Sequence, residues 1–243
     1  MSSEPDLALV FRTEFRLILR SICTTGRLIA IAALAAVSVF TALVVTIGGA
    51  DDPLRAGVGF VNGNVATLIP VAVLVFGAAS LGDLIDDGSL VYLWLRPIPT
   101  WVPVLASWAA TVTVCVPLVL VPVIACTAMI HPSADLLVAT VLGGLVAVFA
   151  YAGIFVMLGV RFRRALPWGL VYILIWEGFV ASAGKTATKL AVRSYVRSIL
   201  VAETGVTLKL GEFSLAVGII VPLLAAVAAL AYASRRLAKT DVA

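Results

Sequence analysis

The sequence predicts an all-α integral membrane protein with six transmembrane helices. Hydrophobic residues make up 62% of its 243 residues and charged residues only 12%, and the mean hydropathy is +1.14. Soluble domains are about half apolar and a quarter charged, so this composition excludes an ordinary aqueous globule. A helix of about 20 apolar residues crosses a bilayer, because each backbone group bonds within its own segment. Six runs are close to or above this length, at 28–47, 58–82, 102–130, 136–160, 166–183 and 213–234.

These runs occupy most of the chain, so we expect a single membrane domain over residues 28–243. Charged residues of both signs precede the first run, which is not the pattern of a cleaved signal peptide. The three cysteines, two of them inside the third run, are expected to be buried small hydrophobes rather than a disulfide framework. One histidine, His131, cannot supply a zinc pair or a buried Ser–His dyad. We therefore expect neither a metal site nor an enzyme active site.

The N-terminal region, residues 1–27, is predicted to contain an interfacial helix. Over residues 7–22, apolar positions recur at i, i+3 and i+4, while Arg12, Arg16 and Arg20 form a basic row on the other side. Such a helix lies in the headgroup plane of the membrane with its arginines at the phosphates. The alternative is a cytoplasmic extension of the first span, although Gly26 favours a bend between the two.

The distribution of basic residues predicts that both termini are cytoplasmic. With this orientation the inner segments hold eleven of the 17 lysines and arginines and the outer segments hold six. Five of those six fall in one long outer loop, 184–212, which is an exception to the bias.

The segment 80–101, SLGDLIDDGSLVYLWLRPIPTW, is acidic at first, then broken by a glycine, and then apolar and aromatic. In the predicted orientation it faces the cytoplasm. The aspartates offer charge to a soluble partner, Gly88 permits a sharp turn, and the leucines and Trp94 supply an apolar anchor. A plain interfacial loop would explain the aromatic residues but not the concentration of acids, so we favour a docking segment.

This segment resembles the signature of type-2 ABC transporter permeases. In that family an acidic residue precedes Gly-Thr, a leucine-rich amphipathic turn follows, and a proline leads towards the next span. The matching places in this sequence are Asp86-Asp87-Gly88-Ser89, Leu90, Leu93 and Arg96-Pro97-Ile98, with Trp101 before the third run. The run 12–20 is similar to the interfacial helix of the family, and Trp176-Glu177 and residues 191–199 also fit the family's pattern.

The resemblance implies the membrane subunit of an ATP-driven exporter in the cell membrane, with a coupling helix between spans two and three. The implied partners are a separate ABC ATPase, which uses ATP and Mg²⁺, a second permease subunit (identical or similar) and membrane lipids. This chain itself is expected to bind no cofactor and to have no ATPase domain. The coupling residues implied are Asp83, Asp86, Asp87, Gly88, Ser89, Leu90, Leu93, Trp94, Arg96 and Pro97. The alternative is a non-transporting membrane scaffold or assembly factor.

Polar residues inside the spans are candidates for a translocation path. Asn62, Asn64 and Thr67 lie in the second run beside Gly59-x-x-x-Gly63, a spacing that lets helices approach closely. Glu177 is the ionisable residue well inside a span, where charge is costly, so it should face the bundle or a cavity. Its role in transport and a neutral structural role are left open by the sequence.

The outer loop 184–212 carries Lys185, Lys189, Arg193 and Arg197 at intervals of four residues. On a helix these residues form one basic row, beside an apolar row, which predicts a helix on the outer membrane surface that touches lipid phosphates. The alternative to lipid contact is a functional one, in which this helix forms an exit platform for anionic or amphipathic substrate. The nearby stretch 178–186 resembles a nucleotide-binding loop but has five residues between its glycines instead of four, and we exclude nucleotide binding there.

Overall fold

The computed structural model describes residues 7–86, 98–180, 188–208 and 213–239. Those residues form ten α-helices and two π-helical segments, with no strand among them. The α-helices are α1 (Leu7–Ile22), α2 (Thr25–Ile47), α3 (Pro53–Ala66), α4 (Leu68–Asp86), α5 (Trp101–Cys115), α6 (Val121–Ile130), α7 (Ala134–Arg161), α8 (Ala165–Val171), α9 (Val192–Thr204) and α10 (Leu215–Ala238). The π-helical segments are π1 (Val116–Leu120) and π2 (Tyr172–Val180). The all-α prediction is confirmed over this part of the chain.

Five helical stretches within the described ranges are long and apolar enough to cross a membrane, which fits a multi-pass membrane protein. They are Thr25–Ile47, Pro53–Ile85, Trp101–Ile130, Ala134–Arg161 and Leu215–Ala238. Each contains one of the predicted runs, except that the run 213–234 begins two residues before Leu215. The predicted fifth span, 166–183, corresponds to the shorter apolar stretch Ala165–Gly178, which contains α8 and most of π2. The count of six spans therefore stays a prediction.

The N-terminal region contains two separate helices. α1 covers the predicted residues 7–22 and ends before Cys23 and Thr24, and α2 begins at Thr25. One continuous helix is therefore not formed. Arg12, Arg16 and Arg20 are exposed, and Glu14 is buried because α1 packs against α5 and α4.

The core is built around α7, which packs against α4, α9 and α10. Its aromatic side chains Tyr151 and Phe155 are fully buried and stack on each other. Two glycines allow the neighbouring backbones to approach α7 closely. A Cβ at Gly159 would lie 2.5 Å from the carbonyl oxygen of Ala78 in α4, and one at Gly153 would lie 2.9 Å from Cα of Ala226 in α10.

The side chains of α2 are much less buried within the protein than those of α7. Only 17% of its apolar stretch is buried in the protein, against 61% for α7. The exposed side chains include Ile29, Phe40 and Ile47, so most of this helix is not covered by the described part of the chain.

Prolines lie at or near several interruptions of these helices. α3 and α4 are separated at Thr67, which has non-helical φ and ψ and lies three residues before Pro70. Pro117 lies in the π-helical segment π1, which interrupts the α-helical pattern between α5 and α6. Pro removes a backbone donor and clashes with the preceding turn, which accounts for these interruptions.

Candidate functional site

Glu177 lies at the junction of π2 and α9 and is only 2% exposed. Its Oε1 accepts hydrogen bonds from the Tyr172 hydroxyl at 2.9 Å and from the Val192 backbone N–H at 3.0 Å. Its Oε2 accepts a hydrogen bond from the Arg193 backbone N–H at 3.1 Å. Both oxygens therefore act as acceptors towards the first turn of α9.

The first turn of α9 needs such an acceptor. The first N–H groups of a helix have no partner within the helix, and they carry the positive end of the helix dipole. Ala191, which precedes α9, has no side chain that could cap it. The carboxyl group of Glu177 therefore replaces a local cap and joins α9 to π2.

The segment after π2 also places a basic residue, Arg193, beside Glu177. The Arg193 side chain is half-buried and interacts with Glu177 through its charge. The buried Tyr151 hydroxyl lies close to the same carboxyl group. It forms no hydrogen bond of good geometry with any of the described residues. Tyr151, Tyr172 and Arg193 thus complete a polar cluster that the sequence does not reveal, because they come from three different segments.

A second link joins α9 to α3. Nε of Arg197 donates a hydrogen bond to Oδ1 of Asn62 at 2.9 Å. Burial, together with the positive charge of Arg193, lowers the pKa of the Arg197 guanidinium to about 10. The group still carries its charge at neutral pH, so this link is a charge-assisted hydrogen bond.

The predicted basic row of α9 does not form one solvent-facing surface. Lys189 is exposed, Arg193 and Arg197 are half-buried, and Lys185 lies outside the described residues. The apolar row beside them, including Val196 and Ile199, is fully buried against α7 and α10. This row was expected to face lipid, but it faces protein, because α9 packs into the bundle.

An open groove of about 510 Å³ lies between α2 and the helices α3 and α4. Its polar lining consists of Ser38 and Thr41 of α2 together with Asn64 and Thr67. The Ser38 hydroxyl donates a hydrogen bond to Oδ1 of Asn64 at 2.6 Å, which ties the two walls together. A Cβ at Gly59 or at Gly63 would meet nothing within 4 Å, so the GxxxG spacing is not used for close packing within the described chain.

The four candidate path residues are therefore divided between two places. Asn64 and Thr67 line the groove, whereas Asn62 binds Arg197 and Glu177 caps α9. Asn62 and Asn64 are two residues apart on α3, so they point in different directions. The sequence predicts the polar character of these positions but not this division.

Asp83 is already paired within the chain. Nη2 of Arg27, near the start of α2, lies 2.6 Å from Oδ2 of Asp83 near the end of α4. Of the other residues predicted for ATPase coupling, Asp86 is the last residue of α4. The remaining predicted coupling residues, Asp87, Gly88, Ser89, Leu90, Leu93, Trp94, Arg96 and Pro97, lie outside the described residues.

No family model matches this sequence, and no curated protein matches it either.

Proposed function

We propose that the chain is the permease subunit of an ATP-driven ABC exporter. It pairs with a second permease subunit, identical or similar, and with separate ATPase subunits that bind ATP and Mg²⁺. Both termini are cytoplasmic, and the segment between α4 and α5 docks on the ATPase. The chain has no catalytic role of its own and holds no cofactor.

The observation that carries this proposal is the position of α1. It packs against α4 and α5, the two helices that border the segment 87–97, and the Arg27–Asp83 pair links the start of α2 to the end of α4. A force applied to that segment would reach α1, α2, α4 and α5 through direct contacts. This arrangement supports coupling to a moving soluble partner. A passive scaffold would not require such a linkage between the helices.

The groove between α2 and α3 supports a transport path next to a second subunit. It is open on the side of the poorly buried α2, and its apolar walls carry hydroxyl and amide groups. A path of this kind suits amphipathic cargo, since a continuous wet pore would need more polar residues.

Docking is tested by reversing the acidic charge of the segment. The first step is to look for an ABC ATPase in the neighbouring reading frames and to co-express it with the full chain. The double variant Asp86→Lys/Asp87→Lys and the variant Leu93→Asp should then lose the ATPase on purification. Asp51→Lys is the matched control. Asp51 is exposed in the turn after the end of α2, whereas the Arg27–Asp83 pair lies at the start of α2. We expect about a tenfold or larger loss of ATPase for the two docking variants, as for the removal of an interface anchor.

Equal recovery of the ATPase with all variants would overturn the coupling assignment. The alternative function, a non-transporting scaffold or assembly factor, predicts normal assembly without ATPase stimulation. If the ATPase hydrolyses ATP at the same rate alone and in complex with the permease, the result favours the scaffold.

A further inference from the structure

A second groove, distinct from the one between α2 and α3, lies between α5 and α10. It has a volume of about 430 Å³, and its walls are apolar side chains that include Leu105 of α5 and Val227 and Leu230 of α10. α10 packs mainly against α7 and α9 and contacts α5 less extensively. Leu105 and Val227 are 37% and 62% exposed, which shows that nothing in the described chain covers the groove.

One end of the groove is polar and basic. Trp101, at the start of α5, and Arg235, near the end of α10, line it together with Ser234. The Ser234 hydroxyl lies 3.2 Å from the Thr100 hydroxyl, so one of the two donates a hydrogen bond to the other. No acidic side chain lines the groove among the residues that the structure describes.

The position of these groups matches the depth of one membrane leaflet. From Arg235 to Val227 the helical rise is about 12 Å, close to the roughly 15 Å of hydrocarbon in one leaflet. Tryptophan and arginine at the end of a span mark the headgroup level. The groove therefore runs from the headgroup level into the acyl region.

We propose that this groove is a binding site for one anionic phospholipid. Arg235 binds the phosphate of the headgroup, and an acyl chain fills the space between Leu105 and Leu230. Of the Thr100 and Ser234 hydroxyls, the one that accepts the hydrogen bond from the other donates its own to the phosphate. In the proposed orientation the lipid belongs to the cytoplasmic leaflet. This site does not depend on the export function.

A second copy of the chain fits the groove less well than a lipid does. In a symmetric dimer about an axis normal to the membrane, both copies of Arg235 would lie at the same depth on either side of the contact. Two like charges would then be brought together without an acid to separate them. A phospholipid instead brings a negative charge to Arg235 and a chain of the right shape to the walls.

Native mass spectrometry of the purified full chain in a mild detergent tests the site. Phosphatidylglycerol and phosphatidylcholine with identical acyl chains are titrated separately, and the retained lipid is counted. We expect the wild type to retain phosphatidylglycerol preferentially and Arg235→Gln to bind it about fivefold more weakly, the effect of one basic residue at an anionic surface. Arg55→Gln, which removes the same charge from the other end of the bundle, should bind as the wild type does.

Leu230→Trp fills the groove and should reduce the retention of both lipids. If this variant does not fold, as judged by its melting temperature, Arg235→Gln and Arg55→Gln still decide. Equal retention of the two lipids by the wild type, or equal binding by Arg235→Gln and wild type, overturns the proposal. A disulfide-linked dimer formed through Val227→Cys in native membranes, with the three native cysteines replaced by alanine, also overturns it, because the groove would then be covered by a second copy.

Discussion

At the scale of single residues, a buried carboxyl group connects two segments that are distant in the sequence. Glu177 accepts hydrogen bonds from N–H groups 15 and 16 residues further along the chain. Both N–H groups belong to the start of α9, which has no side-chain cap of its own. This arrangement supports a structural role for Glu177, whereas the sequence alone left that role and a role in transport equally open.

The consequence can be measured with two substitutions at Glu177. Leucine removes every acceptor from the first turn of α9, and we expect a loss of about 1–3 kcal/mol in the free energy of unfolding, since buried donors are left unsatisfied. Glutamine keeps one acceptor oxygen and should lose less than half as much. The measurement is thermal unfolding of the purified chain, with Glu203→Gln, also in α9, as the control.

The ATPase turnover of the assembled complex separates the two roles of Glu177. In the structural role, Glu177→Gln lowers the melting temperature slightly and leaves turnover unchanged. A normal melting temperature together with a large fall in turnover would contradict that role and place the carboxylate in transport.

The partners of Glu177 show what the sequence cannot predict at this scale. An acid within an apolar run predicts burial and a partner, and both are found. The identity of the partners depends on how α9 folds back onto α7 and π2, and no local pattern contains that information. Likewise, Arg27 and Asp83 are 56 residues apart and meet only because the start of α2 lies beside the end of α4.

At the scale of helices, glycines decide which pairs approach most closely. Gly159 brings α7 against the backbone of α4, whereas Gly59 of α3 has open space around it. The GxxxG spacing marks Gly59 as a candidate for close helix packing, but it does not include Gly159. The spacing predicts a possible contact and not whether a partner is present in the same chain.

The two glycines therefore predict opposite effects of the same substitution. Gly159→Ala places a Cβ against the carbonyl group of Ala78, so α4 and α7 must separate, and we expect a cost of about 1–3 kcal/mol in stability. Gly59→Ala meets nothing and gains helix propensity, up to about 1 kcal/mol. Thermal unfolding of both variants in detergent checks this pair, and an unchanged melting temperature for Gly159→Ala would contradict the observed packing.

Helix boundaries were predictable to different degrees. The limits of α1 follow from its amphipathic pattern, and the five long apolar stretches follow from their hydropathy. The segment 166–183 is predicted as a span, and its described part contains a short α-helix followed by π2. Hydropathy measures the apolar length of a segment and contains nothing about its hydrogen-bond pattern.

At the scale of the whole molecule, the orientation in the membrane is the basis of the coupling proposal. Single cysteines at Arg163, in the exposed turn between α7 and α8, and at Thr207, in the exposed segment after α9, report the two sides. With the three native cysteines replaced by alanine, an impermeant maleimide should label only Thr207→Cys in intact cells. Ser194, at the centre of the same outer segment, is unsuitable for labelling because it is 2% exposed.

Labelling of Arg163→Cys and not of Thr207→Cys would reverse the orientation. The segment 87–97 would then face away from the cytoplasm, and an ATPase could not reach it. The orientation prediction depends on the distribution of basic residues, with eleven on one side and six on the other.

The close backbone contacts of α7 also determine which parts of the bundle can move. A sliding motion of α4 or α10 along α7 would force residues with side chains into the places of Gly159 and Gly153, so these three helices form one mechanical unit. The apolar stretch of α2 is 17% buried, close to the 22% of α10, but no described glycine of α2 lies against the backbone of another helix, so α2 can tilt at less cost. Spin labels at exposed positions test this in the assembled complex: the distance from Val138 to Leu224 should stay constant when ATP binds, and the distance from Val138 to Phe40 should change. In the proposed exporter, α4, α7 and α10 would form the rigid part of the subunit, and movement of the docking segment would reach α2 through the Arg27–Asp83 pair.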